Sequence, residues 1–423
     1  MTDLISVNHA LSKILSEFNP LPAEEIEISE ALFRTLAEDI HSPFDLPLFD
    51  NSSVDGFAVC AASDIRAGSR GNFTLPVVGD IPAGIHTSLR LARGEAARIM
   101  TGAPLPQGAD AVLPVEDTSF PYRDSSAPLP AQVTFFRFPS PGENVRPRGQ
   151  DVKNGQKLLS RGRKLQPQDI GMLATLGLDR IRVIRKPRIA LFSSGDELLT
   201  PGIPPQPGKI FDANSYSLGL LALREGAEVI RLGVARDEYQ AVKELFEKAK
   251  NANADLILSS AGVSVGAFDY VRQVLEEHGE VKIWRVNMRP GKPLTYASYK
   301  GLPVISLPGN PVSAFIGFLV FVRPVIARLS GLEPTPPTTL PVILEHPVLS
   351  DGRESYLRAI VQKSPQGFFA RLTGHQGSGN LYSLVQANAL LIIPAGVKSL
   401  PAGETVQAWL LDNEPLPVVE KPE

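Results

Sequence analysis

Apolar residues recur three and four positions apart from Ser6 to Phe18, with Val7, Ala10, Leu11, Ile14, Leu15 and Phe18 on one face, which predicts an amphipathic helix. A second helix is predicted from Ala31 to Asp39, with Ser29 before it as N-cap. From Pro43 to about Phe138 the pattern changes to short strand-like runs between Gly and Pro, among them Phe73 to Val78 and Val133 to Phe138, as in a small β domain. A short helix is read from Gln168 to Leu176. From Arg188 to Leu329 strands alternate with helices, the strands lying near Arg188–Phe192, Val229–Val234, Asp255–Leu258, Val281–Val286 and Pro303–Ser306. That alternation predicts a mostly parallel sheet covered on both faces. Pro334 to Pro341 reads as a stiff linker, and Val342 to Leu411 as the short strands of a small β barrel or sandwich.

Composition narrows the class without choosing a function. The chain has 423 residues, too many for one core, so two to four domains are expected. Charged residues make up 21%, hydrophobic residues 43%, and the net charge is −3, which predicts a soluble globular protein with no general affinity for nucleic acid. Residues 137–188 are rich in Lys and Arg, read as a solvated surface around the short helix. The longest apolar run, Ala314 to Val322, stops at Arg323-Pro324 and is expected not to span a bilayer. Asp3, Lys13 and Glu17 among the first apolar residues argue against a signal peptide, and a cytoplasmic location is expected. Cys60 is the only cysteine, so an internal disulfide and a thiolate zinc cluster are excluded. The six histidines show no helical pairing of the zinc-protease kind.

Chemistry concentrates in the loops that follow the α/β strands, the edge at which open sheets bind ligands. Ser193-Ser194-Gly195-Asp196-Glu197 follows the first strand and Asp237 the second. After the third comes Ser259 to Gly266, where Gly262 and Gly266 admit close approach of a ligand, and Asp269 stands in the next helical turn. Asp269 there either complements the helix dipole or, with other acids, holds a metal. Arg289-Pro-Gly-Lys292-Pro293 follows the fourth strand, and Leu307-Pro-Gly309-Asn310-Pro-Val-Ser313 follows the fifth. Oxygen-only ligands suit Mg²⁺ bridging substrate phosphates, and Arg289 with Lys292 suits a tetrahedral oxyanion or phosphate. These loops predict a Mg²⁺-dependent enzyme acting on a phosphorylated or adenylylated substrate. In the β region, Phe49-Asp-Asn-Ser-Ser-Val-Asp55-Gly56 and Arg98-Ile-Met-Thr101-Gly read on spacing alone as ordinary turns.

The series SSGDEL, SSAGVSVGAFDYV, RPGKP and LPGNPVSA resembles the molybdopterin molybdenumtransferase family, which includes the C-terminal enzyme domain of gephyrin. FDNSSVDGFAV, RIMTGAPLP, ENVRPRGQDV and TGHQGS extend the resemblance over nearly the whole chain, in order. Element pattern and resemblance together predict a multidomain α/β plus β protein. Its parts are N-terminal helices (1–42), an inserted β domain (43–140), a linking region (141–186), a parallel α/β domain of molybdopterin-binding type (187–331) and a small C-terminal β barrel (332–423). The resemblance implies Mg²⁺-dependent insertion of molybdate into adenylyl-molybdopterin, with release of AMP, to give molybdenum cofactor. It further implies a homodimer whose sites take residues from both subunits, with the molybdopterin adenylyltransferase as a candidate partner.

By position, Asp55, Thr101, Asp151, Glu197, Asp237 and Asp269 match the family's catalytic residues, and Asp237, Asp269 and Glu197 its metal-binding acids. Arg289, Lys292, Pro293, Ser313, Arg358 and Ser378 match its molybdate pocket. Ser194, Gly195, Asp196, Gly262, Ser264, Gly309 and Asn310 match its adenylyl-molybdopterin site. Two positions depart from the family pattern: Ala261 stands where a glycine is usual, and Arg289 replaces a lysine, exchanging a compact ammonium for a planar fork. The rival readings are a molybdopterin adenylyltransferase, which shares the Ser/Gly loop, and a non-catalytic scaffold.

Overall fold

Successive side chains of a strand point to opposite faces, and in the α/β sheet both faces are apolar. In strand β1 (Arg188–Ser194), Ile189 and Leu191 join one core while Ala190 and Phe192 join the other. Leu256 and Leu258 of β3 (Leu256–Ser260) divide from Ile257 in the same way. The first core is closed by helix α1 (Val7–Leu15), by α2 (Asn214–Arg224) and by the long segment Pro311–Leu329. The second is closed by α3 (Tyr239–Asn251) and α4 (Tyr270–His278). The remaining strands are β2 (Glu228–Ala235), β4 (Gly279–Arg285), β5 (Pro293–Tyr299) and β6 (Leu302–Leu307), in the order β2-β1-β3-β6-β5-β4.

The computed structural model describes residues 4–120, 128–260, 270–412 and 414–418. Contacts divide the chain into one unit of Met1–Glu38, Gly162–Gly171 and Leu178–Glu423, and another of Asp39–Arg161 and Met172–Gly177. The first unit holds the α/β sheet and a closed barrel. In the barrel, Glu354–Ser364 pairs with Gly367–Leu372, which pairs with Thr339–Leu344, then Thr405–Leu410, then Ala389–Ile393, and the last returns to Glu354–Ser364. The second unit is a five-stranded sheet with Gly56–Val59 near its centre, and its two faces bury Phe57 and Val59 on one side and Ala58 on the other.

Two expectations need correction. Ala31 to Asp39 is not a helix: a 3₁₀ turn covers Ile28–Glu30, and Thr35 and Leu36 bridge to Lys164 and Val183. Phe33 at φ 62° breaks the helical path, and Ser29 donates to Glu27 instead of capping. Pairing with a distant segment has overridden local propensity. The sheet also contains β5, which the sequence reading missed, antiparallel to both β4 and β6. It turns into β6 through Lys300 and Gly301, both at positive φ (48° and 84°), a two-residue hairpin turn that lysine rarely occupies. The apolar run stops at Arg323-Pro324 as expected, but the helix does not. Helical structure continues through a π segment at Phe318–Val322 to Leu329, 19 residues of which 72% of the most apolar window is buried in the protein. The π turn relieves the carbonyl that Pro324 cannot satisfy.

The basic stretch at 137–188 is largely paired. Arg146 meets Asp151, Arg148 Asp45, Arg163 Asp169, Arg185 Asp255 and Arg137 both Asp117 and Glu143.

Candidate active site

Strands β2 and β3 leave β1 on opposite sides, so the sheet has its switch point at β1, where the carboxyl ends part to admit a ligand. A cleft of about 630 Å³ opens there, lined by Ser194, Glu197, Asp212, Asn214, Ser260, Pro293, Gly309 and Asn310 among others. Asn214, buried at the start of α2, donates from Nδ2 to Ser260 Oγ (2.6 Å) and to the Gly309 carbonyl (2.8 Å). One amide therefore ties the ends of β3 and β6 together. Its Oδ1 has no partner among the described residues. Asp212, also buried, accepts from Ser193 Oγ, Ser215 N and Ser215 Oγ and so fixes the first turn of α2. Sequence reading missed Asn214 and Asp212, though Asp212 three residues before Ser215 is a helix-start signal.

Beside the cleft, Asp196 and Asp237 hold each other: the Asp196 N–H donates to Asp237 Oδ2 (3.3 Å) and the Asp237 N–H to Asp196 Oδ1 (3.2 Å). The second oxygen of each carboxylate has no hydrogen-bond partner among the described residues. Gly195, at φ 148°, lies against the Glu197 carboxylate so closely that a Cβ there would be 2.5 Å from Oε2. These are oxygen donors of the kind Mg²⁺ takes. Among the described residues, however, no three His, Cys, Asp or Glu side chains form a metal-ligand cluster. Gly262, Ser264 and Asp269 lie outside the described residues, as does Ala261.

A cationic pocket adjoins the cleft at Pro293 and Gly379. The Arg289–Lys292 loop reaches the start of the long helix, because Gly291, at φ 105°, packs against Met288 and the Ser313 carbonyl. Ser313 is buried, and the Ser378 carbonyl accepts the Val312 N–H at 3.1 Å, which brings the TGHQGS loop to the same point. Arg358 is fully buried in the barrel strand Glu354–Ser364. Its guanidinium donates to Ser383 Oγ (2.9 Å) and to the carbonyls of Gln376 (3.2 Å), His375 (3.4 Å) and Gly377 (3.0 Å), and to no carboxylate among the described residues. Burial first, and the charge of Arg289 second, pull its pKa down to about 10. Lys292 is exposed and forms no ion pair among the described residues. Gln376, also missed, buttresses this loop by bonding both the N–H and the carbonyl of Arg358.

In the β unit, the motif turns knit together. The backbone N–H and the Oγ1 of Thr101 both donate to Asp55 Oδ1 at 2.7 Å. Gly56 has no room for a side chain, since a Cβ would lie 2.0 Å from the Leu113 carbonyl oxygen. Ser52 exchanges backbone bonds with Gly102 and Ala103, and Asp50 Oδ1 accepts the Arg148 N–H at 2.6 Å. Asp151 is exposed and paired with Arg146 at 2.7 Å. Asp55, Thr101 and Asp151 thus share one unit with one another, while the cleft and the cationic pocket belong to the other unit.

An α/β switch-point cleft flanked by acids, a closed barrel that carries a buried cation, and a separate β unit define a multidomain α/β plus β protein with a ligand-binding edge. Family models agree along the chain: the MoeA N-terminal region (domains I and II) matches residues 5–177, a probable molybdopterin binding domain 190–328, and the MoeA C-terminal region (domain IV) 341–411. The chain is 38% identical to the molybdopterin molybdenumtransferase of Nostoc sp. over 90% of its own length and 87% of the relative's. It is 35% identical to that of Haemophilus influenzae, over 95% and 98%. The solved structure of the molybdopterin biosynthesis MoeA protein from Pyrococcus horikosii superimposes with a TM-score of 0.83 at 34% identity, covering 97% of this chain and all of that one. The chain belongs to the molybdopterin molybdenumtransferase family.

Proposed function

We propose that this protein inserts molybdate into adenylyl-molybdopterin, with Mg²⁺, releasing AMP and yielding molybdenum cofactor. The observation that carries the reading is Arg358: a buried guanidinium with no carboxylate partner among the described residues, close enough to Arg289 to feel its charge. A buried cation that feels the charge of a second, half-exposed one favours an anion, which offsets their repulsion and the lost hydration of Arg358. Molybdate is such an anion, with four oxygens to accept from Arg289, Lys292 and the remaining N–H of Arg358. Pro293 and Gly379 join the pocket to the cleft, so a dithiolene-bearing substrate in the cleft would present its sulfurs toward the oxyanion.

Asp237 and Glu197 would hold Mg²⁺ together with Asp269, the set that matches the family's metal-binding acids. Bound there, the ion would neutralise charge on the substrate's phosphates. Ser194, Ser260 and Gly309 supply hydroxyl and backbone groups along the cleft to orient the pterin end of the substrate. In the β unit, Asp55 held by Thr101 retains one free carboxylate oxygen to accept a proton or orient water. We propose a homodimer as the working form, to be checked as twice the 45.6 kDa chain mass by light scattering.

The deciding assay incubates the protein with adenylyl-molybdopterin and Mg²⁺, with and without molybdate. AMP release that requires molybdate is expected. ATP consumption with molybdopterin would make the protein an adenylyltransferase, and neither activity would make it a scaffold. Tungstate in place of molybdate reads out which anion the pocket prefers.

A further inference from the structure

Arg289 is held from behind by a turn of the barrel. The two-residue strand Met288–Arg289 lies parallel to the start of the Glu354–Ser364 strand, with Met288 opposite Glu354 and Arg289 opposite Ser355. In the turn just before that strand, Asp351 accepts from Arg353 through the backbone N–H (3.1 Å) and Nε (3.0 Å), and in a further short bond from Nη2. Arg353 Nη1 reaches back to the Met288 carbonyl at 3.1 Å. Asp351 Oδ2 then lies 4.0 Å from Arg289 Nε. The hydrogen bonds from Arg353 first, with Arg289 a smaller contribution, hold the Asp351 carboxyl below its ordinary range, so it is charged at neutral pH.

We propose that Asp351, fixed by Arg353, is a positioning residue that aims the Arg289 fork into the oxyanion pocket. The inference rests on the reading of that pocket given above. Arg289 stands between two charges: the Asp351 carboxylate attracts its Nε, and Arg358 repels it. An exposed arginine has many rotamers, and a carboxylate at ion-pair distance removes some of them before the oxyanion arrives. Asp351 touches no substrate in this arrangement. It acts through Arg289 alone, and that separates it from a general stabiliser of the turn.

The test is molybdate binding to the full chain, measured by calorimetry for the parent, Asp351→Asn, Arg289→Ala and the double variant, with Asp351→Glu as the conservative exchange. Asp351→Asn is expected to weaken binding about three- to fivefold, the range of a partly exposed ion pair. Asp351→Glu should restore most of the loss. In the Arg289→Ala background, Asp351→Asn should change nothing further, since coupled residues are non-additive. A full additional loss in that background would mean that Asp351 acts on the pocket independently and would overturn the proposal. Unchanged or tighter binding in Asp351→Asn alone would also overturn it, leaving the carboxylate as a mere counter-charge. If Arg289→Ala itself leaves molybdate binding unchanged, the pocket has been misassigned and the positioning role falls with it.

Discussion

The β unit and the barrel pocket both carry residues that match the family's functional positions, yet they are built in opposite ways. In the β unit, nearly every such acid is already met by its own chain: Asp55 by Thr101, Asp50 by the Arg148 N–H, Asp151 by Arg146. In the barrel pocket the charges are left over: Arg358 is surrounded by carbonyls, Lys292 stands in solvent, and Arg289 meets an acid only at 4.0 Å. Satisfied charge makes architecture, and unsatisfied charge makes a place for a ligand. The β unit should therefore respond to substitution chiefly through stability, and the pocket chiefly through what it binds.

The largest break in that contrast is Arg358→Leu, because this one residue belongs to both categories. It would remove the buried cation and leave the Gln376 carbonyl and the Ser383 hydroxyl oxygen without this donor, while the His375 and Gly377 carbonyls keep their bonds from Asn380. Each orphaned buried group costs about 1–3 kcal/mol, partly offset by no longer burying a charge. We expect a clear fall in thermal stability and a loss of molybdate-dependent AMP release of about 100-fold or more, the scale of losing a preorganised donor. Arg358→Lys should recover part of the stability and little of the activity, since an ammonium cannot span the same acceptors. Activity within a few-fold of the parent in Arg358→Leu would put the anion elsewhere.

Gly56→Ala sharpens the other side. The new Cβ would fall 2.0 Å from the Leu113 oxygen and 2.8 Å from its carbonyl carbon, both backbone atoms of a paired strand that cannot swing aside. A cost of about 3 kcal/mol is expected from such overpacking, read as a shift in the denaturant midpoint. Gly102→Ala in the facing turn is the control. It meets no atom within 4 Å, so only its positive φ of 81° is strained, at about 1 kcal/mol. Equal costs at the two positions would mean that the Leu113 strand yields to the new Cβ and that close approach is not what keeps Gly56.

How far the sequence carried this contrast depended on the range of the interaction. The loops after the α/β strands were legible because sheet topology alone brings the ends of β1, β3 and β6 to one edge, where Ser194 and Gly309 line the cleft. Short strands after residue 341 predicted a barrel or sandwich, and the resemblance chose the barrel that the strand pairing shows. The helix predicted over Ala31 to Asp39 was lost because residues near 164 and 183 pair with it, and no local window contains them. The Lys300-Gly301 turn escaped because lysine rarely takes positive φ. Asp55 could not be told from a plain turn acid, since its partner Thr101 lies 46 residues away. Arg358 was placed in the pocket by resemblance, but its grip on the TGHQGS carbonyls follows only from the barrel's closure.

The smallest effect separates the two regions by pH. Asp64, buried in the β unit, accepts two bonds from the Arg66 guanidinium and one from its N–H, and its pKa is lowered from 3.8 to about 2, the Arg66 side-chain bond being the largest cause. A carboxylate with a depressed folded pKa contributes stability above its unfolded value and loses it as pH falls through the folded value. The contribution is therefore complete above about pH 4 and is lost between there and about pH 2. Because Arg66 is partly exposed, solvent screening reduces it to about 1 kcal/mol. Asp64→Asn should lower stability by that amount at pH 7 and by almost nothing at pH 2, as read by denaturant unfolding at each pH. The guanidinium of Arg358 stays charged across that whole range, since even a pKa of about 10 lies far above it. Acid should accordingly erase the Asp64 term in the β unit without touching the cations of the pocket. An Asp64→Asn penalty that persists undiminished at pH 2 would show that packing around Asp64, and not its charge, does the holding.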